Sequence, residues 1–364
     1  MIDDESFINS LEIEDLKKKY IKLKEEKIKF IDEKFSNDFN SLKAKLEKEI
    51  QIDKNHRMIL NACIFPFSQK NSFENYGYIF LRASPLSEIG EKNFDFLLFN
   101  KTNHVIIGEA KGQVKDPSRV IDEYKQRRSI LEDNMDYFKN TYLNSGNCDS
   151  EFVLGVNWAD SNETMKSILR KKLDIIVWSV GVDFITLKNR ILKFVAPPSQ
   201  PDKSHKKMLH VNRKLCSLET ETSIDYKSFF PDSHIFAKLM LLIYLEEDEN
   251  GNFRYDDLTE LVKTELHYLG NDEIRKIVDE ILKMGQEINF LDKVSSFAEP
   301  QYKIISKGKK ADTREKELKN KWIKYQINKK KEQEIIQEIS TLHERLLNER
   351  KKYKTMLDFT ENNF

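Results

Sequence analysis

Cysteine is scarce: Cys63, Cys148 and Cys216 fall at no spacing used by a disulfide framework or a zinc site. That excludes a cysteine-stapled scaffold and fits a reducing compartment. Proline and glycine are also few, 8 and 11 residues in 364, which argues against a disordered chain and for a helix-rich one. No charge of either sign is left over, since 61 Lys and Arg face 61 Asp and Glu. Any binding of nucleic acid must then come from local patches. Long apolar runs are missing: residues 239–245 form the longest, far short of the roughly 20 residues a membrane span needs. The opening MIDDESFINS is acidic and lacks a basic-then-apolar export signal. No P-loop, HExxH helix or CxxC pair occurs, and the seven histidines are dispersed. The expectation is a cytoplasmic protein with no membrane partner.

What is present centres on residues 94–111, FDFLLFNKTNHVIIGEAK. Two apolar runs, 94–99 and 105–107, flank a polar segment at 100–103 and read as a buried β-hairpin. A turn centred between Lys101 and Thr102 sets Leu98 opposite Ile106 and Asp95 opposite Glu109. Opposed residues have Cβ atoms roughly 5 Å apart, so two carboxylates there are costly without a cation between them. Glu109 and Lys111 are two apart and share a face of the strand. Asp95, Glu109 and Lys111 thus converge, and such oxygen donors suit Mg²⁺ or Mn²⁺. The alternative, a hairpin neutralised by Lys111 alone, leaves an expensive buried ionic triad without a task. Gly108 would let a ligand or another backbone approach closely.

At these residues the chain resembles the PD-(D/E)xK nuclease superfamily, whose core puts an Asp on one hairpin strand and Glu/Asp-x-Lys on the next. Here those are Asp95 and Glu109-Ala110-Lys111, with Phe94 where the motif's name has Pro. The elements expected around them run helix 56–65, strand 76–82, the hairpin, helix 118–138, strand 152–156, helix 162–172 and strand 173–180. This is the order that superfamily uses: α/β, a restriction-endonuclease-like mixed sheet sandwiched by helices. The resemblance implies that Asp95, Glu109 and the Ala110 carbonyl hold a divalent ion. Lys111 would orient the attacking water or stabilise the transition state. In some relatives a Gln or Tyr on the next helix lines the site; here Glu123, Tyr124, Gln126 and Arg127 are available, with Glu123 and Gln126 as accessory candidates. A solvated helix face explains the same residues. A further acid comes from Glu88 or Glu91 in the preceding loop or from Glu47 or Glu49 on the preceding helix, a choice the sequence leaves open.

The flanks are different in kind. Ile13, Leu16, Tyr20, Leu23, Ile28, Ile31, Phe35, Leu42 and Leu46 form an apolar stripe within residues 8–50, the pattern of an amphipathic helix pair or short coiled coil. It packs either on this chain or on a second copy. Pro197, Pro198 and Pro201 mark a boundary before a basic stretch with Lys203, Lys206, Lys207, Arg213 and Lys214, which suits a phosphate backbone or is a plain solvated linker. Helices at 234–246, 256–267 and 272–286 followed by strands at 288–291 and 301–305 resemble a winged helix-turn-helix. Its third helix is net acidic, so a protein partner fits the module as well as DNA does. Residues 307–331 are strongly basic, and Ile335, Ile339, Leu342 and Leu346 carry a closing helix that pairs with the opening one or with a second subunit.

The expected parts are a long helical segment at 1–52, a nuclease-like domain at 53–198, a basic linker at 199–233, a small winged-helix-like domain at 234–308 and a long helix at 309–364. The expected function is a Mg²⁺- or Mn²⁺-dependent endonuclease acting on DNA in preference to RNA, in restriction or anti-phage defence, as a homodimer or higher homo-oligomer. The biological setting rests on fold-level analogy. The rival is a nuclease-fold nucleic-acid-binding or sensor protein that does not cut.

Overall fold

The computed structural model describes residues 4–64, 79–86, 94–99, 104–143, 149–173, 175–182, 190–195, 213–215, 230–248, 251–295, 300–306, 308 and 310–361. The chain is mixed α/β and divides into two compact units, Met1–Lys48 with Lys319–Phe364, and Glu49–Leu318. Among the described residues no helix is long and apolar enough to cross a membrane.

The first unit is a helical hairpin. A short α1 (Asp4–Ser10) turns at Glu12, whose φ is 59°, into α2 (Glu14–Ile64). Its partner is the last helix, Ala311–Glu361, numbered α9 below. Both long helices span 51 residues. The pairing is antiparallel, for Lys19 meets Glu349 at 2.6 Å, Lys34 meets Glu334 at 2.6 Å and Glu47 meets Lys319 at 3.2 Å. Phe7, Leu11, Leu16, Tyr20, Leu342 and Leu346 form the buried seam at the far end. The stripe that allowed either self-association or internal packing is thus used within the chain. Homo-oligomers lose the support that free terminal helices lent them. Because the apolar seam rather than exposed ion pairs stabilises this unit, Leu346→Ala should cost about 2–5 kcal/mol. Lys34→Ala should cost no more than about 1 kcal/mol. Hydrogen exchange of α1 amides, faster in the first variant only, would check this.

The helix expected to end near residue 50 and restart at 56 is continuous. Residues 14–64 contain neither Pro nor Gly, and i,i+4 pairs carry the helix through the expected gap, Gln51–Asn55 at 2.8 Å and Asp53–Arg57 at 2.7 Å. It ends two residues before Pro66, whose ring cannot continue a helix.

The second unit is built on a seven-stranded sheet ordered β1 (Ile79–Ala83), β2 (Phe96–Phe99), β3 (His104–Lys111), β4 (Asp149–Asn157), β5 (Ile176–Val182), β6 (Arg190–Val195) and β7 (Arg213–Leu215). Strands β3, β4 and β5 are parallel neighbours and the remaining pairs antiparallel. Crossovers α3 (Pro117–Asp133), with the short α4 (Met135–Phe138) behind it, and α5 (Trp158–Arg170) cover one face. The end of α2 covers the other through Ile59, Leu60 and Cys63. Burial on both faces is why these strands read as unbroken apolar runs. Asp116 caps α3 by accepting from the Ser118 and Arg119 amides, and Pro117 sits at its first position. The helix therefore starts at Pro117, one residue before the start at 118 expected from the sequence.

The hairpin register is the expected one: Leu98 pairs with Ile106 and Phe96 with Gly108. Gly108 has a different partner from the one expected. A Cβ there would lie 1.8 Å from the Phe96 ring, so the ring itself, stacked on Trp178, takes the space. Gly108→Ala should therefore displace Phe96 and cost about 1–3 kcal/mol. A Phe96→Leu, Gly108→Ala double variant recovering part of the lost Tm would establish the clash.

The rest of this unit has the element order helix, strand, helix, helix, hairpin. It comprises α6 (Ile235–Leu239), continued by a 3-10 turn to Ile243, then β8 (Asn252–Arg254), α7 (Tyr255–Glu265), α8 (Asn271–Glu287), β9 (Leu291–Ser295) and β10 (Gln301–Ile304). The sheet order is β8-β10-β9. Strand β8 was not expected, and the first helix is shorter than 234–246. Of the basic linker, Lys203, Lys206 and Lys207 lie outside the described residues. Arg213 and Lys214 lie in the short strand β7, paired with β6.

Candidate active site

The sheet brings Asp95 and Glu109 together. The Asp95 amide donates to the Gly108 carbonyl at 2.9 Å, beside the end of the Phe96–Gly108 ladder, and the Asp95 and Glu109 carboxylates line the same cleft. One Asp95 oxygen accepts from the Ala110 amide at 2.7 Å. A strand residue's N–H and C=O point to the same edge, so the Ala110 carbonyl shares the Asp95 side. Two residues after Glu109, Lys111 reaches back to it at 2.7 Å.

Helices complete the group. Arg127, from α3, forms a direct ion pair with Glu109 on the oxygen Lys111 does not use. Glu123, one turn earlier, lies 3.7 Å from Lys111 and 3.0 Å from Arg119. From α2, His56 places Nε2 3.1 Å from Asp95. That reach depends on Gly112, where a Cβ would stand 2.5 Å from the His56 backbone nitrogen. The side chains wall a cleft of about 720 Å³ that Lys115, Arg119, Glu49, Asp232 and His234 also line.

Glu109 is 2 % exposed. Burial and the Asp95 charge push its carboxyl up to about 7, against the pull of Lys111 and Arg127. Asp95 goes the other way. Burial alone would raise it, but the His56 bond and charge, the Ala110 amide and Arg127 bring it below the usual carboxylate value. His56 is raised, its burial outweighed by Asp95 and Glu109.

Of the residues expected here, Asp95, Glu109, Ala110, Lys111 and Glu123 meet. Gln126 does not: it is exposed and absent from the cleft wall, where Arg127 stands instead. On a helix Glu123 and Arg127 share a face and Gln126 is turned about 100° away from Arg127, a spacing legible in the sequence. Among the acids left open, Glu49 lines the cleft and Glu47 pairs with Lys319 in the helical hairpin. Glu88 and Glu91 lie outside the described residues. His56, 39 residues from Asp95, carried no sequence signal.

In kind, the donor set fits a hard cation: two carboxylates and a carbonyl edge are the oxygens Mg²⁺ and Mn²⁺ take. In number it is sparse, because among the described residues no group of three or more His, Cys, Asp and Glu is arranged to hold a metal ion. Mg²⁺ tolerates this, since it keeps several waters and binds through one or two carboxylates. No family model, curated protein or solved structure matches the chain.

Proposed function

We propose that the chain is a divalent-metal-dependent nuclease of the PD-(D/E)xK type, an endonuclease acting on DNA in restriction or anti-phage defence. The observation that carries this is the Asp95 carboxylate just before β2 and the buried Glu109 on β3, close enough to act on one another, with Lys111 beside Glu109 at the wall of an open cleft. The mixed sheet, with its antiparallel hairpin and parallel crossovers, supports the restriction-endonuclease-like core, and the sheet order β8-β10-β9 supports the winged-helix-like module.

Asp95, Glu109 and the Ala110 carbonyl would hold Mg²⁺ or Mn²⁺. When bound, such an ion lowers the pKa of a water and offsets charge developing on the phosphate. The protein's part is positioning and charge. Lys111 is fixed by Glu109 and Glu123, so its ammonium is aimed before substrate arrives. The Ala110 amide holds the Asp95 carboxylate in one orientation. Arg127 neutralises Glu109 and adds a second cation for the phosphate.

Cutting of supercoiled plasmid with Mg²⁺ or Mn²⁺, and none in EDTA, is the expected result, with single-stranded RNA as the parallel substrate. Undiminished cutting in EDTA would remove the metal from the reading. One observation favours the non-cutting alternative: Lys111 and Arg127 already satisfy both Glu109 oxygens. Arg127→Ala separates the two. A unit charge a few Å from a divalent ion is worth more than 1.4 kcal/mol even at an effective dielectric of 20. The variant of a metal site should thus bind Mn²⁺ at least about tenfold tighter by calorimetry; a purely structural ion cluster would show no Mn²⁺ binding in either protein.

A further inference from the structure

The two central carboxylates of the cleft are both in use, but not equally. Glu109 has each oxygen on a cation, Oε1 on Lys111 at 2.7 Å and Oε2 on Arg127. Asp95 gathers its partners on one oxygen: the Ala110 amide at 2.7 Å and His56 Nε2 at 3.1 Å both meet Oδ2. Its Oδ1 has no hydrogen-bond partner among the described residues. Asp95 thus has an oxygen open to a cation, and Glu109 has none.

The two cations on Glu109 differ in what else they hold. Lys111 shares strand β3 with Glu109 and has a second carboxylate, Glu123, at 3.7 Å. Arg127 comes from α3, lines the cleft, and among the described residues has Glu109 as its single partner. Arg119, Glu123 and Arg127 follow one another at four-residue spacing, so they share one helix face along the cleft. A guanidinium presents a planar fork that fits phosphate as well as carboxylate. A phosphate in the cleft therefore gives Arg127 a second place to go, while Lys111 stays tied to its own strand and to Glu123.

The charge of the cleft gives that exchange its weight. Seven Asp and Glu line it against four Lys and Arg. The side made by α2 and the lead-in to α6 brings Glu49, Asp53 and Asp232. Arg57 offsets Asp53 at 2.7 Å, which still leaves the acids in excess. Such a cleft repels a polyanion until cations enter it. Resting on the reading of this cleft as a metal-dependent phosphodiester site, we infer that Arg127 is a counter-ion gate. It occupies Glu109 Oε2 in the free chain and passes to a phosphate when nucleic acid binds. Mn²⁺ or Mg²⁺ and the phosphodiester then bind cooperatively, each raising the affinity for the other by the same factor.

The test is Mn²⁺ binding by the full chain, read from the electron paramagnetic resonance of unbound Mn²⁺, with and without a phosphorothioate DNA duplex. Those linkages keep the charge and resist cutting; the duplex alone is the blank, and plasmid cleavage in Mn²⁺ is run beside it. Saturating duplex should tighten Mn²⁺ binding at least about fivefold, the lower end of coupling between two sites. Arg127→Ala should bind Mn²⁺ at least about tenfold tighter than the unaltered chain without duplex, and duplex should add far less to it. Arg127→Gln, uncharged and a good helix former, should behave alike and carries the comparison if Arg127→Ala loses its fold. An equal gain from duplex in variant and unaltered chain, or no gain in the unaltered chain, would overturn the gate. If plasmid is cut in Mn²⁺ all the same, the nuclease reading survives. The expected coupling without any cutting would keep the gate and overturn the nuclease. Mn²⁺ bound with no duplex bound would overturn the coupling and DNA as the substrate. No Mn²⁺ bound by any of these proteins, with or without duplex, would overturn both.

Discussion

Lys111→Ala should lower single-turnover cleavage by about 10²–10³-fold, the loss expected when one preorganised charge is removed from a developing oxyanion. The side chain sits 2.7 Å from Glu109 and 3.7 Å from Glu123, and half-burial keeps it from wandering. Stability should change little, because Arg127 remains on Glu109 and leaves no buried carboxylate unpaired. Lys111→Arg should not rescue the rate, since a planar fork is larger and aims its donors differently from an ammonium. Circular dichroism and Tm would separate lost chemistry from lost fold. Wild-type cleavage by a well-folded Lys111→Ala protein would dismiss Lys111 from the mechanism, and the motif reading with it.

Gly112→Ala should be nearly as damaging by another route. The added methyl would lie 2.5 Å from the His56 nitrogen and 2.7 Å from the Asn55 carbonyl carbon, both backbone atoms of α2 that no rotamer change can move aside. The helix must withdraw, taking His56 from Asp95 and opening the wall of the cleft. A displacement of about 1 Å at a site of this kind costs on the order of 10²-fold in rate, and the overpacking costs about 1–3 kcal/mol. His56→Ala is the control. If the rate in Gly112→Ala falls no further than in His56→Ala, the effect runs through the lost imidazole. A larger fall points to the displaced wall. Full activity and unchanged Tm in Gly112→Ala would show that α2 does not press on this turn as described.

The two ends of the chain show how far pattern reading reaches. The apolar stripe through Leu16, Tyr20 and Leu342 identified helices and their buried face correctly, since a 3.6-residue period says which side must be covered. It could not name the cover. An apolar seam satisfied by a second copy and one satisfied by the same chain have the same periodicity. In the structure the two helices of one chain meet, with Lys19 on Glu349 and Lys34 on Glu334, 330 and 300 residues apart. Likewise Arg213 and Lys214, read from composition as part of a basic linker, lie in strand β7, because basic composition does not exclude a strand.

Alone, the sequence determined the hairpin, its register and the meeting of Asp95, Glu109 and Lys111. Antiparallel pairing through a short turn and a period of two leave little choice over such a distance. It also determined that both faces of that hairpin are covered, because its strands are apolar throughout. Only the tertiary structure decided which groups complete the site. His56 arrives because α2 runs unbroken past residue 50 and lies against Gly112. Asp232 and His234 form the far wall because the lead-in to α6 is tied to Ser84 and Asp53. These are contacts between elements far apart along the chain, and their partners are chosen by packing geometry, which no local pattern encodes.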